Sequence, residues 1–353
     1  MKVQNKFEKR LEVIPSSILL LIAQIDELKG RWSAGTNLHP QILGRLKRSV
    51  LITSTGASTR IEGAKLSDED VEKFMLGIDV QRFTDRDSQE VRGYYELLQN
   101  VFNSWESIRL SEGLIKHFHK ELLKYVKKDI FHSGQYKQTE NKVRMINTKG
   151  EVIGTIFNTT PVHLTPIKMQ ELTEWTIDVW QKKQYHPLLI IGNFIVEFLI
   201  IHPFSDGNGR LSRILTNLLL LQSGYLYIPY ISHEKFIEDN KLDYYLALRK
   251  SQKTFNIDNE DITTWLGFFL KILLKQSEEA VVLLSSEQTE KILSEKQLSI
   301  WKHIQKVREI TPRELIKKTG IVRPTLNQAL DKLIKLKKIQ RIGMGRSTRY
   351  RDY

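Results

Sequence analysis

Residues 202–213, His-Pro-Phe-Ser-Asp-Gly-Asn-Gly-Arg-Leu-Ser-Arg, gather the side chains and the backbone that phosphate chemistry uses. His202 has an ordinary pKa suited to a general base near neutrality. Asp206 is a hard oxygen ligand of the kind that holds a phosphate-bound magnesium ion. Gly207 and Gly209, on either side of Asn208, free the backbone to turn its N–H groups toward one point, and the helix that follows adds its positive end. Arg210 and Arg213 lie three apart and share a helix face above that anion site. A base, a metal ligand, an amide cradle and two cations are the parts of phosphoryl or nucleotidyl transfer. Each part alone is more often a turn, a helix end or a solvated face; their coincidence in one short segment carries the reading.

The elements that must position this segment are two apolar runs. Residues 188–201 are interrupted only by Gly192, Asn193 and Glu197, too short and too polar a stretch to cross a bilayer, and read as a buried core helix. It stops at His202, because proline disfavours helical geometry in the residue before it. A second apolar helix over 210–221 ends at Gly224. The polar loop is thus expected between two buried helices.

The segment resembles the Fic-domain signature, H-x-F-x-D/E-G-N-G-R-x-x-R, at every specified position. The resemblance implies a mainly helical enzyme that transfers AMP from ATP, with Mg2+, to a Ser, Thr or Tyr hydroxyl of a target protein. Carried over by residue, it implies that His202 deprotonates the hydroxyl, Phe204 anchors the loop and Asp206 holds magnesium. Gly207, Asn208 and Gly209 would cradle the α- and β-phosphates, Arg210 would brace them, and Arg213 would meet the γ-phosphate. Upstream, Ser58-Thr59-Arg60-Ile61-Glu62-Gly63 is similar to the inhibitory pattern S/T-x-x-x-E-G/N found beside such domains. Ser58 and Glu62 are four apart, hence on one helix face, with Gly63 as terminator. An ion pair between Glu62 and Arg213, bidentate if geometry permits, would block productive ATP binding.

Residues 142–157 change period and read as two short strands around a turn at 147–150. In the resembled family such a hairpin flap pairs with an extended target segment. Two departures weaken that likeness: Thr160-Pro161-Val162 stands where many relatives have a double proline, and Lys137 where an arginine is common. Asn240 and Tyr244 resemble the residues that meet adenine in the family, although a polar helix start accounts for them equally. His117 and His119, two apart on a helix, point to different sides and read as structural. A helix is expected from Ser16 or Ser17 to Gly30.

The chain of 353 residues is 41% hydrophobic, enough for two or three domains. It has no cysteine, which excludes disulfides and thiolate metal sites. No signal peptide or membrane span is read, and a cytoplasmic location is expected. The expected organisation is an N-terminal helical region with the inhibitory motif (1–110), a catalytic domain (111–276), a helical connector (277–295) and a C-terminal domain (296–353). Of the formal charge of +13, the last segment carries +12, with sixteen Lys and Arg against four acids. Three short helices and a basic hairpin there look like a winged helix-turn-helix. Arg323, Thr325, Asn327 and Gln328 open its third, recognition helix, and Arg341, Arg346, Arg349 and Arg351 lie in the wing. DNA and protein are both expected partners of such a fold. The resemblance also implies a homodimer. Two alternative functions stand beside a self-inhibited adenylyltransferase: a hydrolase removing AMP at the same site, and a nucleotide-gated, DNA-binding transcription regulator.

Overall fold

The computed structural model describes residues 5–35, 38, 40–77, 85–126, 131–146, 152–255, 259–336, 338–343, 345 and 348–352. Contacts divide the chain into two compact units, Met1–Val281 and Val282–Tyr353. In the first unit the helices are α1 (Lys6–Lys9), α2 (Ser16–Gly35), α3 (Pro40–Ile61), α4 (Asp68–Met75), α5 (Asp85–Ser104) and α6 (Glu112–Leu123). A two-stranded antiparallel sheet follows, β1 (Lys142–Ile146) with β2 (Val152–Asn158), then α7 (Thr165–Lys182), α8 (Pro187–Ile201), α9 (Asn208–Gln222), α10 (His233–Asp239), α11 (Lys241–Gln252) and the part of α12 (Thr263–Ile292) up to Val281. The chain is therefore mainly α, a helical bundle carrying a small hairpin.

Helix α8 is apolar on almost every side, which forces it into the centre, and α9 beside it is buried along nearly its whole length, its polar residues included. The two polar residues inside α8 are satisfied by the N-terminal segment. Asn193 donates to the Phe7 carbonyl at 2.9 Å and accepts from Arg10 at 3.0 Å, while Glu197 meets Arg10 at 2.7 Å and Lys6 at 2.5 Å. Around this pair α3 packs on α4, α5 and α10, and α5 packs on both α6 and α9. Helices from either side of residue 110 thus share one core, and that expected boundary falls inside the first unit. The strands pair from Lys142 with Asn158 to Ile146 with Val152, with two bulges; the expected turn at 147–150 lies outside the described residues. Among the described residues no helix is long and apolar enough to cross a membrane.

Two helix ends differ from expectation. Helix α2 runs on through Gly30 to Gly35, because Trp32, 2% exposed and stacked on Tyr230 at 5.7 Å, holds the extra turn in place. The expected connector begins inside α12, which is continuous to Ile292.

The second unit contains α13 (Glu295–Gln305), α14 (Pro312–Thr319), α15 (Arg323–Lys335) and the antiparallel pair β3 (Ile339–Ile342) with β4 (Arg349–Asp352). Its core includes Ile300, Trp301, Leu315, Leu326, Leu333 and Tyr350. Gly320, at φ 68°, closes α14 in the left-handed conformation and turns the chain into α15, as a helix-turn-helix requires. Three helices and a two-stranded wing match the winged helix-turn-helix expected here.

Candidate active site

Helix α8 ends at His202, whose backbone is left-handed (φ 50°) and whose N–H donates to the Phe198 carbonyl at 2.9 Å. A non-glycine residue reaches this region only when its surroundings insist. The imidazole Nδ1 lies 3.2 Å from the Leu199 carbonyl. Nδ1 is therefore the protonated nitrogen, which leaves the Nε2 lone pair as the basic position. Burial pulls the His202 pKa down to about 4, so the ring is neutral at physiological pH.

The turn after His202 is locked by Asn208, whose side chain accepts from the Phe204 N–H at 3.0 Å and donates to the Phe204 carbonyl at 2.8 Å. The buried Phe204 ring stacks on His119 at 3.8 Å and 6°. His119 also donates from Nε2 to the Asp206 carbonyl at 3.0 Å and accepts the Gly134 N–H at 2.9 Å. Gly207 starts α9 at φ 77°. The amides of Asn208, Gly209 and Arg210 form the first turn of α9, where helix geometry offers no intrahelical acceptor; the cradle expected at Gly207, Asn208 and Gly209 overlaps this turn.

Arg213 is 2% exposed. Its Nη2 donates to Glu62 Oε1 at 2.7 Å and to the Ser58 carbonyl at 3.0 Å, and its Nε to Ser58 Oγ at 2.8 Å. Glu62 binds through one oxygen, so the pair is not the bidentate fork; Ser58 occupies the Nε edge of the guanidinium, and Nη1 has no protein acceptor. Helix α3 delivers both partners. Gly63, at φ 107°, closes it with the Gly63 N–H on the Arg60 carbonyl at 3.1 Å and the Ala64 N–H on the Thr59 carbonyl at 3.2 Å. These two bonds make a Schellman motif with Glu62 at the cap. Arg60, bonded to Glu238 at 2.5 and 3.0 Å and to Asp68 at 2.9 Å, pins that helix end. The Glu62 carboxylate lies so close to Gly209 that a side chain at 209 would collide with it.

Arg210 meets Glu90 at 2.8 Å and Asp206 at 3.3 Å. The Asp206 carboxylate also caps the Gly207 N–H at 2.6 Å. Glu62, His202, Asp206, Gly207, Asn208, Gly209, Arg210, Tyr244 and Tyr245 border one cavity of about 120 Å³. Asn240 is not on its wall: it sits at the junction of α10 and α11 and donates to the Phe236 carbonyl at 2.8 Å. Of the two adenine candidates the fold thus brings Tyr244 to the cavity. Glu90, Tyr245 and the buttressing role of His119 were not read from sequence; Lys137 was noted there only as standing where an arginine is common, and its contacts with the loop come from the fold.

In the second unit Arg323, Asn327 and Gln328 are exposed along α15 and Thr325 is half-buried. Arg341, Arg349 and Arg351 are exposed in the wing; Arg346 lies outside the described residues.

Comparison with known proteins agrees with this geometry. Residues 109–220 match the Fic/DOC family, and residues 295–353 match the C-terminal domain of DIP2311-like transcriptional regulators. A probable protein adenylyltransferase of Aquifex aeolicus is 26% identical over 230 residues, 61% of this chain and 62% of that protein. The Fic protein adenylyltransferase of Aedes aegypti is 41% identical over 59 residues, 17% of this chain and 12% of that protein. The chain thus spans less than two thirds of the length of either relative. A crystal structure of a Fic family protein from Desulfovibrio desulfuricans superposes with a TM-score of 0.62 at 26% identity and covers 97% of both chains. The signature loop, its setting between two buried helices and these likenesses converge: residues 109–220 of this chain are a Fic/DOC domain.

Proposed function

We propose that the first unit transfers AMP from magnesium-bound ATP to a Ser, Thr or Tyr hydroxyl of a target protein, and that Glu62 holds this activity in check. The observation that carries the reading is the His202 imidazole bordering one cavity with Asn208, Gly209 and Arg210, the first turn of a helix. His202 Nε2 takes the hydroxyl proton as the hydroxyl oxygen bonds to the α-phosphorus. The bond from that phosphorus to its bridging oxygen breaks, and pyrophosphate leaves with the electron pair. The amides at 208–210 and Arg210 stabilise the charge that gathers on the phosphates. Asp206, with its side chain 39% exposed at the cavity, suits a hard cation that keeps most of its water, and among the described residues no cluster of three or more His, Asp or Glu competes for it. Magnesium there would neutralise phosphate charge.

Inhibition follows from volume and charge. A cavity of about 120 Å³ is well below the ~300 Å³ that ligand pockets usually need. Glu62 fills the missing space, occupies the arginine intended for the γ-phosphate and sets a negative charge where that phosphate would lie. Mass spectrometry of the intact protein after exposure to each nucleoside triphosphate tests the proposal. Glu62→Gly gains AMP with ATP and magnesium, the parent gains little, and His202→Ala none; absence of AMP on the Glu62→Gly protein and on any added target refutes it. Because Glu62 borders the same cavity as His202, it could instead aim a water at an adenylylated residue. Release of free AMP from an adenylylated target would favour that reverse reaction.

A second activity is proposed for the second unit, on its match to a transcriptional regulator domain and its charge. DNA would take α15 in the major groove, with the wing arginines on phosphates.

A further inference from the structure

Lys137 is 3% exposed. Its ammonium donates to Asn141 Oδ1 at 2.9 Å, Thr159 Oγ1 at 3.0 Å and the Ile201 carbonyl at 3.0 Å, while its backbone N–H donates to the Pro203 carbonyl at 2.8 Å. One residue therefore grips the carbonyls on both sides of His202. The same ammonium reaches the residue just before β1 and the residue just after β2. Four further contacts close the arrangement. Asn141 donates to the Phe204 carbonyl at 2.9 Å, and the Thr160 N–H to the Ile200 carbonyl at 3.1 Å. The Thr159 hydroxyl lies 2.6 Å from Asn141 Oδ1 and 2.8 Å from its carbonyl. A buried cation bonded only to neutral acceptors is a poor way to fill space, which an apolar chain of the same length would do at less cost. The three acceptors match the three N–H bonds of an ammonium.

We propose that Lys137 is the positioning residue for the base: it holds His202 in its left-handed backbone and fixes the distance from Nε2 to the hairpin ends where an acceptor segment would add as a strand. This rests on His202 acting as the base. The titratable groups facing Lys137 are Glu140, whose carboxylate is bonded to the Val162 N–H at 3.0 Å, and His202 itself. Burial brings the Lys137 pKa down to about 8, against the opposing pull of Glu140. Above that pH a neutral amine has two N–H bonds for three acceptors, so the clamp loosens and catalysis falls. An arginine at 137 keeps its charge and removes this alkaline fall.

The test uses the full chain carrying Glu62→Gly, alone and with Lys137→Met or Lys137→Arg, and measures AMP incorporation from magnesium ATP between about pH 6 and 9.5. Lys137→Met is expected to lower kcat by about tenfold to a hundredfold, the loss from unpairing buried acceptors of a charged donor, with KM for ATP within about twofold. Lys137→Arg keeps most of the rate, and its profile stays flat where the lysine protein declines near pH 8. Isotope-edited NMR of the His202 ring adds a readout independent of turnover: in Lys137→Met the ring titrates above its value in the lysine protein, because a nearby positive charge and the hold on its backbone are both gone. Equal kcat in the Met variant, a KM that rises in step with the lost rate, or the same alkaline fall in the Arg and Lys proteins overturns the proposal. Where the Met variant does not fold, the Arg profile decides alone. If Glu62→Gly incorporates no AMP at all, the transfer reading fails and the imidazole titration still judges the clamp.

Discussion

Replacing Glu62 by glycine separates inhibition from catalysis, and its size follows from the site. The Glu62 oxygen stands 2.7 Å from Arg213 Nη2, with the arginine side chain 2% and the glutamate side chain 37% exposed. Unit charges ~4 Å apart at an effective dielectric near 20 attract by ~4 kcal/mol. Screening through the exposed side of Glu62 removes about half, which leaves ~2 kcal/mol that a γ-phosphate must displace. The initial rate of labelled AMP incorporation at subsaturating ATP should therefore rise by about thirtyfold, and further if the carboxylate also repels the phosphate. Glu62→Gln, which keeps the shape and loses the charge, should fall between the two. The same substitution exposes a cost in the free protein. Arg213 keeps its two bonds to Ser58, Nη1 has no protein acceptor, and a buried guanidinium loses its counter-charge. The free variant should melt below the parent, and magnesium ATP should raise its melting temperature more than it raises the parent's. Rates within twofold of one another, or equal melting shifts with nucleotide, would refute the reasoning.

Three further outcomes are expected. The His202 pKa lies at about 4 rather than 6.5, so the folded ring stays neutral while the unfolded ring gains a proton. Stability is then full above the unfolded value and is lost as pH falls from 6.5 to 4, by up to ~3 kcal/mol for this group; the Glu62→Gly reaction keeps its rate over the same span, and a rate that halves near pH 6.5 contradicts it. Glu90→Gln removes the charge from the shorter of the two carboxylate contacts of the buried Arg210 and should lower the melting temperature of the first unit by about 5 °C, with weaker AMP incorporation; an unchanged melt means the Glu90 contact is idle. Alanine at Arg341, Arg349 and Arg351 should each flatten the dependence of log affinity for duplex DNA on log salt by about 0.9, measured by anisotropy; no binding by the parent even at low salt removes DNA as a partner.

The sequence by itself determined the chemistry of the loop, because its parts are local. Proline at 203 ends α8, glycine at 207 permits the left-handed start of α9, and the apolar runs on both sides leave those helices no place but the core. The four-residue spacing of Ser58 and Glu62, followed by Gly63, likewise states a helix face and its terminator within one turn. The tertiary structure decided which distant groups complete these parts. Glu90 reaches Arg210 from α5, His119 supports Phe204 from α6, and Lys137 grips the carbonyls beside His202 from before β1, each more than sixty positions away in the chain. No periodicity or propensity records such partners, since what selects them is the need to satisfy buried charges and carbonyls once the helices have packed. The same reason explains the misplaced helix end at Gly30. A local terminator was overruled by Trp32, whose burial against Tyr230 comes from a turn almost two hundred residues downstream.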